Sequence, residues 1–376
     1  MSIKNIANVF LKNHRYNGSK KRFDKLYQRI IKANNISLAS LKDDGLINWL
    51  TKWGKYDKKL SPLCYQVFSH YIGNDINIIP DSILDSIIEP VLSPKLFRAQ
   101  YADKNSFDIL FCDLQMPRTV VRNIDGVFFD NNYHTISEPL LFINESQKTE
   151  KIILKPSRED SGHGVKLFEL KNGQYYNSDG TILSLEYLEK KYKSNFLIQE
   201  AITQNPYMSQ FNPSSVNTLR IATYKSVVTG NIHILNAGMR IGAKGSNVDN
   251  AHAGGMFIGI NKDNGEMRHN VCDWLGRTKT TFNGIDFSNN RFLIPNWDEI
   301  CGFAKQVSER VIFCNLVALD IALDELGHPI LIEINIGGFG GWFFQFTTGS
   351  VFGEYTDEVM DYCWAKYKKL EPSVIM

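Results

Sequence analysis

The segment 317–335 contains the side chains whose types and spacing point most directly to chemistry. Its two apolar runs are interrupted by Asp320, Glu333 and Asn335, with a polar turn between the runs. Glu333 and Asn335 are two residues apart, so they project from one face of a strand, and a connection of even length brings Asp320 to that face. Burying two neighbouring carboxylates is costly unless a cation neutralises them, and Mg²⁺ prefers hard oxygen ligands. We predict a hairpin with a magnesium site; the alternative is an ordinary hairpin whose polar face meets solvent.

A lysine followed by a glycine-containing loop forms a second candidate site. Lys155 ends the apolar run KIILK, and the loop 157–164 that follows contains Ser161, Gly162 and Gly164. Lysine supplies a point charge to phosphate groups, and glycine lets backbone N–H groups approach them closely. The order of residues differs from that of a Walker loop. Alone, the loop is typical of a plain turn; together with the magnesium site, it predicts the binding of nucleotide phosphates.

Two arginines lie on a predicted strand pair. The runs 218–228 and 232–241 contain Arg220 and Arg240 and are separated by Thr229-Gly230, which indicates a hairpin. Arginine offers a fixed fork for carboxylate or phosphate. The alternative for either arginine is a surface ion pair.

The elements that must position these residues change in character along the chain. Apolar residues recur every three or four positions around Tyr27 and Ile30, which predicts helices in the first hundred residues, and Pro90 and Pro94 mark a boundary. Strand and turn patterns begin near residue 117, and a helix with one apolar face precedes the metal hairpin. Strands and helices in this order indicate an α+β fold, and a doubly wound parallel sheet is not expected.

Composition limits the class of protein. The 376 residues are 43% hydrophobic and 22% charged, as in soluble globular proteins. No apolar run approaches the roughly 18 residues of a membrane span. Six cysteines without a Cys-x-x-Cys pair predict reduced thiols, no zinc site and a cytoplasmic location.

The first 32 residues are strongly basic. They contain nine Lys or Arg residues and one acid, Asp24. The simplest interpretation is a solvated helical face. The alternative is attraction to an anionic surface, either the inner face of a membrane or an acidic polymer. Nucleic acid is not indicated, because no recognition motif accompanies the charge.

The order Asp, then Glu-x-Asn, after an upstream lysine and glycine loop resembles the ATP-grasp superfamily. Over roughly residues 96–345 the sequence is similar to D-alanine ligases, ribosomal-protein glutamate ligases and sugar-transfer-associated ATP-grasp proteins. The last group is most similar, through its helical N-terminus and the motif SVNTLRI at 215–221. The resemblance implies an ATP-grasp fold, with ATP and Mg²⁺ as cofactors. It divides the chain into a helical region 1–95, a lid subdomain 96–202 and a C-terminal subdomain 203–376.

The resemblance also assigns roles to further residues of the nucleotide site. Lys104 takes the place of a first phosphate-binding lysine. The run FLIQEAI, 196–202, corresponds to the hinge strand, where adenine binds backbone groups near Gln199, Glu200 and Ile202. The acid that often binds the ribose is absent, and Gln204 is available instead.

On the acceptor side, the stretch after Arg240 resembles a glutamate-ligase segment that ends in Arg-x-Asn-x-x-x-Gly-Gly. Asp249 stands where that segment has arginine. The resemblance makes Arg220 and Arg240 the catalytic candidates, stabilising the transferred phosphoryl group. The candidates for substrate binding are Asn250, His252, Gly254 and Gly255.

The implied reaction is ATP-dependent ligation of a carboxylate to an amine through an acyl phosphate. The resemblance suggests an amino acid or amine and a saccharide carboxylate, such as a uronic acid, in surface polysaccharide biosynthesis. Two alternatives stay open: a kinase acting on a sugar or inositol hydroxyl, and a nucleotide-binding regulatory module. The oligomeric state is not indicated.

Overall fold

The computed structural model describes residues 3–38, 40, 43–146, 149–158, 164–246, 249 and 254–371. Two antiparallel sheets form its centre, and helices from both ends of the chain form a third layer. Within the described residues, no helix is both long and apolar enough to cross a membrane.

The helices follow the chain in this order: α1 Ile3–Asn34, α2 Asp44–Trp53, α3 Leu63–Ile72, α4 Asp81–Ile83, α5 Glu89–Leu92, α6 Lys95–Ala102, α7 Phe107–Leu110, α8 Pro139–Ser146, α9 Leu185–Lys191, α10 Pro206–Ser209, α11 Trp297–Arg310, α12 Gly341–Gln345 and α13 Thr356–Lys369. A π-helical turn joins α4 to α5 at Leu84–Ile88, and 3₁₀ turns occur at Lys104–Ser106 and Gly353–Tyr355.

The strands are β1 Thr119–Ile124, β2 Val127–Phe129, β3 Lys151–Pro156, β4 Lys166–Lys171, β5 Gln174–Asn177, β6 Phe196–Glu200, β7 Thr218–Lys225, β8 Ile232–Ile241, β9 Met256–Ile260, β10 Val271–Cys272, β11 Thr278–Lys279, β12 Thr281–Phe282, β13 Ile285–Asp286, β14 Leu316–Leu323 and β15 Pro329–Asn335. The smaller sheet has the order β2-β1-β6-β3-β4-β5, and the larger has the order β11-β10-β9-β8-β7-β14-β15.

The smaller sheet has its own apolar core. Alternate residues of β3 and β6, such as Leu154 and Ile198, pack with Ile143 of α8 and Leu188 of α9. Strand β6 lies at the centre and ends at Glu200, from which the chain passes to the larger sheet. The predicted strand at 196–202 is therefore present but ends two residues earlier.

The larger sheet is buried on both faces by different partners. Odd-numbered residues of β7 and β14, such as Ile221 and Leu319, pack with α11. Even-numbered residues, such as Ala222 and Ala318, pack with the N-terminal helices, α12 and α13. Because side chains alternate along a strand, the polar Arg220 and Asp320 also lie on this second face, beyond the helices that cover it.

The helical layer combines the two ends of the chain. Trp49 and Phe68 share a core with Met360 and Cys363 of α13, a helix that sequence patterns had not indicated. The structure does not test the predicted boundaries 1–95, 96–202 and 203–376, which stay a prediction.

One of the two predicted boundary prolines lies inside a helix. Pro94 precedes α6, as a boundary residue should, whereas Pro90 lies within the continuous helical run from α4 to α5. Proline lacks an N–H and its ring clashes with the carbonyl of an ordinary helix. The preceding π turn, in which Glu89 N–H donates to Leu84 O, changes the hydrogen-bond pattern just before Pro90 and accommodates it.

Candidate functional site

A row of charged side chains crosses three strands of the larger sheet. Asp320 of β14 lies opposite Glu333 of β15 on one side and opposite Arg220 of β7 on the other. Residues paired across antiparallel strands point to the same face. The row continues to Gly238 of β8, where a Cβ atom would lie 2.5 Å from the ring of Phe343. Helix α12 therefore closes one end of the row.

The predicted magnesium ligands share the face expected from their spacing. Asp320 and Glu333 are direct cross-strand partners, and Asn335 follows Glu333 by two residues. Asn335 Nδ2 donates to Asp320 Oδ2 at 3.5 Å. The three side chains converge although Asp320 and Asn335 are separated by the whole turn.

Two arginines hold Asp320. Arg220 donates to both of its carboxylate oxygens, and Arg240 Nη1 donates to Oδ2 at 3.1 Å. Burial would raise the pKa of Asp320, but the two guanidinium groups outweigh it and keep the pKa below its ordinary value. The arginines predicted to be catalytic thus lie at the site, bonded to a candidate metal ligand.

Asp249 is a second partner of Arg240. Its Oδ1 lies 3.1 Å from Arg240 Nη2, and its Oδ2 accepts a hydrogen bond from the Thr218 hydroxyl. Burial raises the pKa of Asp249, although Arg240 and Thr218 act in the opposite direction. The residue that departs from the glutamate-ligase pattern therefore fixes the position of a site arginine.

Two lysines, Lys104 and Lys155, approach this face of the larger sheet from the other side of the cleft that separates the two sheets. Lys104 Nζ donates to Glu333 Oε1 at 2.9 Å, and its backbone N–H donates to Ser157 O, next to strand β3. The side chain of Lys155, near the end of that strand, has no hydrogen bond or ion pair within the described ranges. Burial, reinforced by the positive charge of Lys104, lowers the pKa of Lys155 to about 8.

We call this group the charged cluster; its members are Lys104, Lys155, Arg220, Arg240, Asp249, Asp320 and Glu333. It contains four cations and three carboxylates, so one lysine lacks a counterion. Glu333 Oε2 and Asn335 Oδ1 have no hydrogen-bond donor among the residues that the structure describes. Two unused hard oxygens beside a buried carboxylate fit a magnesium ion, and an excess of positive charge fits a phosphate chain.

A cavity lies where the chain passes from one sheet to the other. Its volume is about 390 Å³, and it is lined by the hinge residues 200–203, by the segment 116–118, and by residues 324–326 and Ile330 of the metal hairpin. The lining combines apolar side chains, among them Ile202 and Ile330, with charged ones, and the apolar part suits a flat aromatic ring. Glu200 and Ile202, two of the residues predicted to lie near adenine, are in this lining.

The polar side chains of the hinge strand are engaged within the protein. Glu200 accepts hydrogen bonds from Arg118 and from Thr149, and Gln199 Nε2 donates to Pro117 O at 3.3 Å. Their side chains therefore fix the hinge. The backbone is paired as well, because the Glu200 N–H donates to Arg118 O and the Ala201 N–H donates to Lys151 O.

The glycines of the predicted loops have separate surroundings. Gly164 has φ +73°, and a Cβ there would lie 2.9 Å from Pro156, so a close approach to β3 requires glycine. Gly254 has φ +87°, and Gly255 is buried beside β9. The other predicted loop residues lie outside the described residues: Ser161, Gly162, Asn250 and His252.

Sequence reasoning missed two residues next to the metal hairpin. Glu89 accepts hydrogen bonds from the backbone N–H groups of Gly338 and Phe339, both at 3.1 Å. Arg98 lies over Gly337, whose Cβ position is 2.6 Å from Arg98 Nη1. Neither residue stands in a motif, and the run Gly337-Gly338 after Asn335 was the one local sign that something packs closely there.

Comparison with known proteins identifies the family. Residues 95–360 match the family model described as sugar-transfer associated ATP-grasp, which covers more than half of the chain. No curated protein sequence matches.

Similar solved structures include an L-amino acid ligase from Bacillus licheniformis, with 14% identity and a TM-score of 0.39 over 69% of this chain and 47% of that one. A D-alanine–D-alanine ligase from Bacillus anthracis has 10% identity and a TM-score of 0.38, with 78% and 79% covered. An ATP-grasp ligase solved with precursor, Mg and ADP has 14% identity and a TM-score of 0.38, with 70% and 60% covered.

The chain thus spans about half the length of the L-amino acid ligase. At these TM-scores the structural similarities carry no argument of their own, and the assignment rests on the family match. That match confirms the ATP-grasp fold predicted from the sequence and ATP as the nucleotide. The chain belongs to the sugar-transfer-associated ATP-grasp family.

Proposed function

We propose that this protein is an ATP- and Mg²⁺-dependent carboxylate–amine ligase. The observation that carries the proposal is the charged cluster, in which three carboxylates and four cations meet at one face of the larger sheet. Beside them, one carboxylate oxygen and one amide oxygen have no hydrogen-bond donor among the described residues. Such a cluster is costly to bury unless a highly charged ligand binds to it and neutralises the charges that are left over. A magnesium triphosphate supplies both the negative charge and the cation.

The cavity and the cluster together suggest how ATP lies. Adenine occupies the hinge cavity against Ile202 and Ile330, and the phosphates extend along the metal hairpin toward Lys155 and Lys104. Asp320, Glu333 and Asn335 would hold Mg²⁺, which when bound neutralises charge on the phosphates. Release of Asp320 from one arginine frees a guanidinium for the transferred phosphoryl group.

The reaction that fits these groups has two steps. A carboxylate oxygen of the first substrate attacks the γ-phosphorus of ATP, ADP leaves, and an acyl phosphate forms. The amine of the second substrate then attacks the acyl carbon, phosphate leaves, the amine loses a proton, and an amide forms. Arg220 and Arg240 stabilise the negative charge that develops in both steps.

We propose a saccharide carboxylate, such as a uronic acid, as the first substrate and an amino acid or simple amine as the second. The family description, sugar-transfer associated, supports the saccharide. The resemblance of the sequence motifs to D-alanine ligases is the reason for choosing an amine as the second substrate. Surface polysaccharide biosynthesis would be the setting.

Incubation with ATP, Mg²⁺, glucuronate or galacturonate, and a panel of amino acids tests the proposal. Ligation predicts stoichiometric ADP and inorganic phosphate together with an amide of the expected mass. A phosphorylated sugar without free phosphate would instead identify a kinase. ATP binding without turnover on any acceptor would favour a regulatory module. Glu333→Gln is the matched inactive control.

We further propose that the protein works in the cytoplasm, in contact with the anionic inner face of the membrane. Lys21, Lys25 and Lys32 are exposed on α1, whereas Lys20 and Arg22 are paired with carboxylates. Exposed cations along one helix favour an anionic surface. Sedimentation with phosphatidylglycerol vesicles should be lost when these three lysines become glutamate. The same change at Lys190, Lys191 and Lys193, near the smaller sheet, should leave sedimentation intact.

A further inference from the structure

Arg98 of helix α6 lies on the face of the larger sheet that carries the charged cluster. A Cβ atom on Gly337 would fall 2.6 Å from its Nη1 and 3.1 Å from its Cζ. Ile336 packs into the core on the opposite face of the sheet. Gly337 therefore continues the alternation of Glu333 and Asn335, and the guanidinium group over it faces the cleft.

The guanidinium group has unused donors. Arg98 Nε donates to Ser93 O at 3.1 Å, and in the described part of the chain neither Nη atom has a hydrogen-bond or ion-pair partner. Glu89, a neighbouring carboxylate, is engaged by the N–H groups of Gly338 and Phe339. The charge of Glu89 acts on Arg98, but in the described part of the chain no hydrogen bond joins the two side chains. Half-buried Nη donors without an acceptor are unfavourable unless a ligand supplies one. Two adjacent Nη donors match the two oxygens of a carboxylate or phosphate.

The position of Arg98 along the metal hairpin indicates which ligand this is. The hinge cavity lies at the turn of the hairpin, at Leu326 and Ile330. The candidate metal ligands follow along β15, and Gly337 lies beyond Asn335 at the end remote from the cavity. A nucleotide with its base in the cavity places its terminal phosphate between the cavity and Arg98. Arg98 is thus on the side of the cleft left for the second substrate.

We propose that Arg98 and the exposed edge of Gly337 bind an anionic group of the second substrate, a carboxylate or a phosphate that is not itself transferred. This inference rests on the proposed function for its placement of the nucleotide. It makes Arg98 a specificity-determining residue, because a neutral substrate would leave its two Nη atoms without an anionic acceptor. The carboxylate of an amino acid and the phosphate of a sugar phosphate share the required chemistry.

Two substitutions separate the binding role from a structural one. Arg98→Gln removes the charge and the fork but keeps a polar side chain of similar length. Gly337→Ala keeps the arginine and displaces it, because the new methyl group would overlap Nη1. Gly337 is outside the positive-φ region, so alanine fits its backbone. Arg310→Gln, at an exposed arginine of α11 paired with Asp113, is the matched control.

The experiment measures binding of matched anionic and neutral probes by calorimetry. The full-length protein is first titrated with a non-hydrolysable ATP analogue and Mg²⁺. L-alanine is then compared with L-alaninamide, and glucose 6-phosphate with glucose. We expect one anionic probe to bind at least about tenfold more tightly than its neutral partner. L-alanine would identify an amino acid carboxylate, and glucose 6-phosphate a sugar phosphate.

Arg98→Gln and Gly337→Ala should each abolish this preference and leave affinity for the ATP analogue unchanged, whereas Arg310→Gln should retain the preference. Equal binding of both members of each pair, or a preference that survives in Arg98→Gln, would overturn the inference. If the analogue fails to bind the wild-type protein, the proposed function fails instead. The probe pairs are then titrated into the free protein, which tests Arg98 separately.

Discussion

The two sheets present different electrostatic faces to the cleft between them. On the larger sheet, Asp320 is held by two arginines of the same sheet, whereas Glu333 is held by Lys104, which reaches it from across the cleft. The smaller sheet contributes Lys155, which has no partner within the described residues, and whose pKa burial lowers to about 8. Asp320 on the larger sheet is therefore paired before any ligand binds. Lys155 on the smaller sheet carries a charge that a ligand can neutralise.

Two carboxylates in the same row across the larger sheet, Asp320 and Glu333, can therefore have different roles. Asp320 is buried between guanidinium groups and contributes to the fold as well as to the site. Glu333 forms an ion pair with Lys104 and also faces the charges of Lys155 and Arg240. Its Oε2 has no hydrogen-bond donor among the described residues, so it can bind a ligand. Variants at the two positions should therefore fail in different ways.

The largest expected effect is on turnover. Glu333→Gln should lower the rate of ATP-dependent ligation on the order of a thousandfold, because several kcal/mol of charge stabilisation at the metal are lost. Steady-state ADP release measures this, and circular dichroism should show an intact fold. Turnover at the wild-type rate would show that Glu333 is not a metal ligand.

The variant Asp320→Asn tests whether the two carboxylates differ in their contribution to stability. It leaves Arg220 and Arg240 without their shared counterion, so the free energy of unfolding should fall by about 3 kcal/mol. Glu333→Gln also weakens a buried ion pair, with Lys104, but 18% of the Glu333 side chain is exposed against 3% for Asp320, so its loss should be smaller. Urea denaturation compares them, and equal losses would refute the distinction.

The smaller sheet should control nucleotide affinity. Lys155→Met should weaken ATP binding by about tenfold to a hundredfold, because it removes a charge-assisted interaction of about 1.5–3 kcal/mol. Lys151→Met is the control on the same strand, since Lys151 is exposed and pairs with Glu169. Calorimetry with ATP measures both, and an unchanged affinity in Lys155→Met would exclude a phosphate-binding role.

The pKa of Lys155 adds a pH dependence to that prediction. Protonation is nearly complete at pH 7 and is lost as pH rises through about 8, so ATP affinity should fall above pH 8. Lys155→Arg stays charged throughout and should flatten the decline. A decline of the same steepness in that variant would assign the titration to another group.

The last expected effect is on the pH dependence of stability and concerns the helical layer that packs on the larger sheet. Burial raises the pKa of Glu89 to about 7, although Arg98 and two N–H groups oppose it. The folded protein thus retains a proton that the unfolded chain loses near pH 4.5, and the stability from Glu89 decreases as pH rises from about 4.5 to 7.

This contribution reaches at most about 3 kcal/mol. Glu89→Gln should make unfolding free energy less dependent on pH between 5 and 7, as measured by denaturation at several pH values. Asp81, whose pKa burial also raises to about 7, should retain a residual slope. An unchanged slope in Glu89→Gln would show that Glu89 ionises normally in the folded protein.

Local patterns in the sequence were sufficient for much of the fold. Alternating apolar residues predicted β7, β8, β14 and β15, and the spacing of Glu333 and Asn335 predicted their shared face. The pattern did not predict α13 or the π turn before Pro90, because these depend on packing against distant segments. Side-chain periodicity reports which face of an element is buried and not which element covers it.

The sequence by itself determined the chemistry available to this protein: oxygen ligands on one hairpin, lysines before it and arginines on a neighbouring pair of strands. Tertiary structure alone decided how those charges are matched. Asp320 meets Arg220 across 100 positions, and Lys104 meets Glu333 across 229. Charged side chains have no period that identifies a distant partner, so only the register of paired strands and the close approach of two sheets could bring them together.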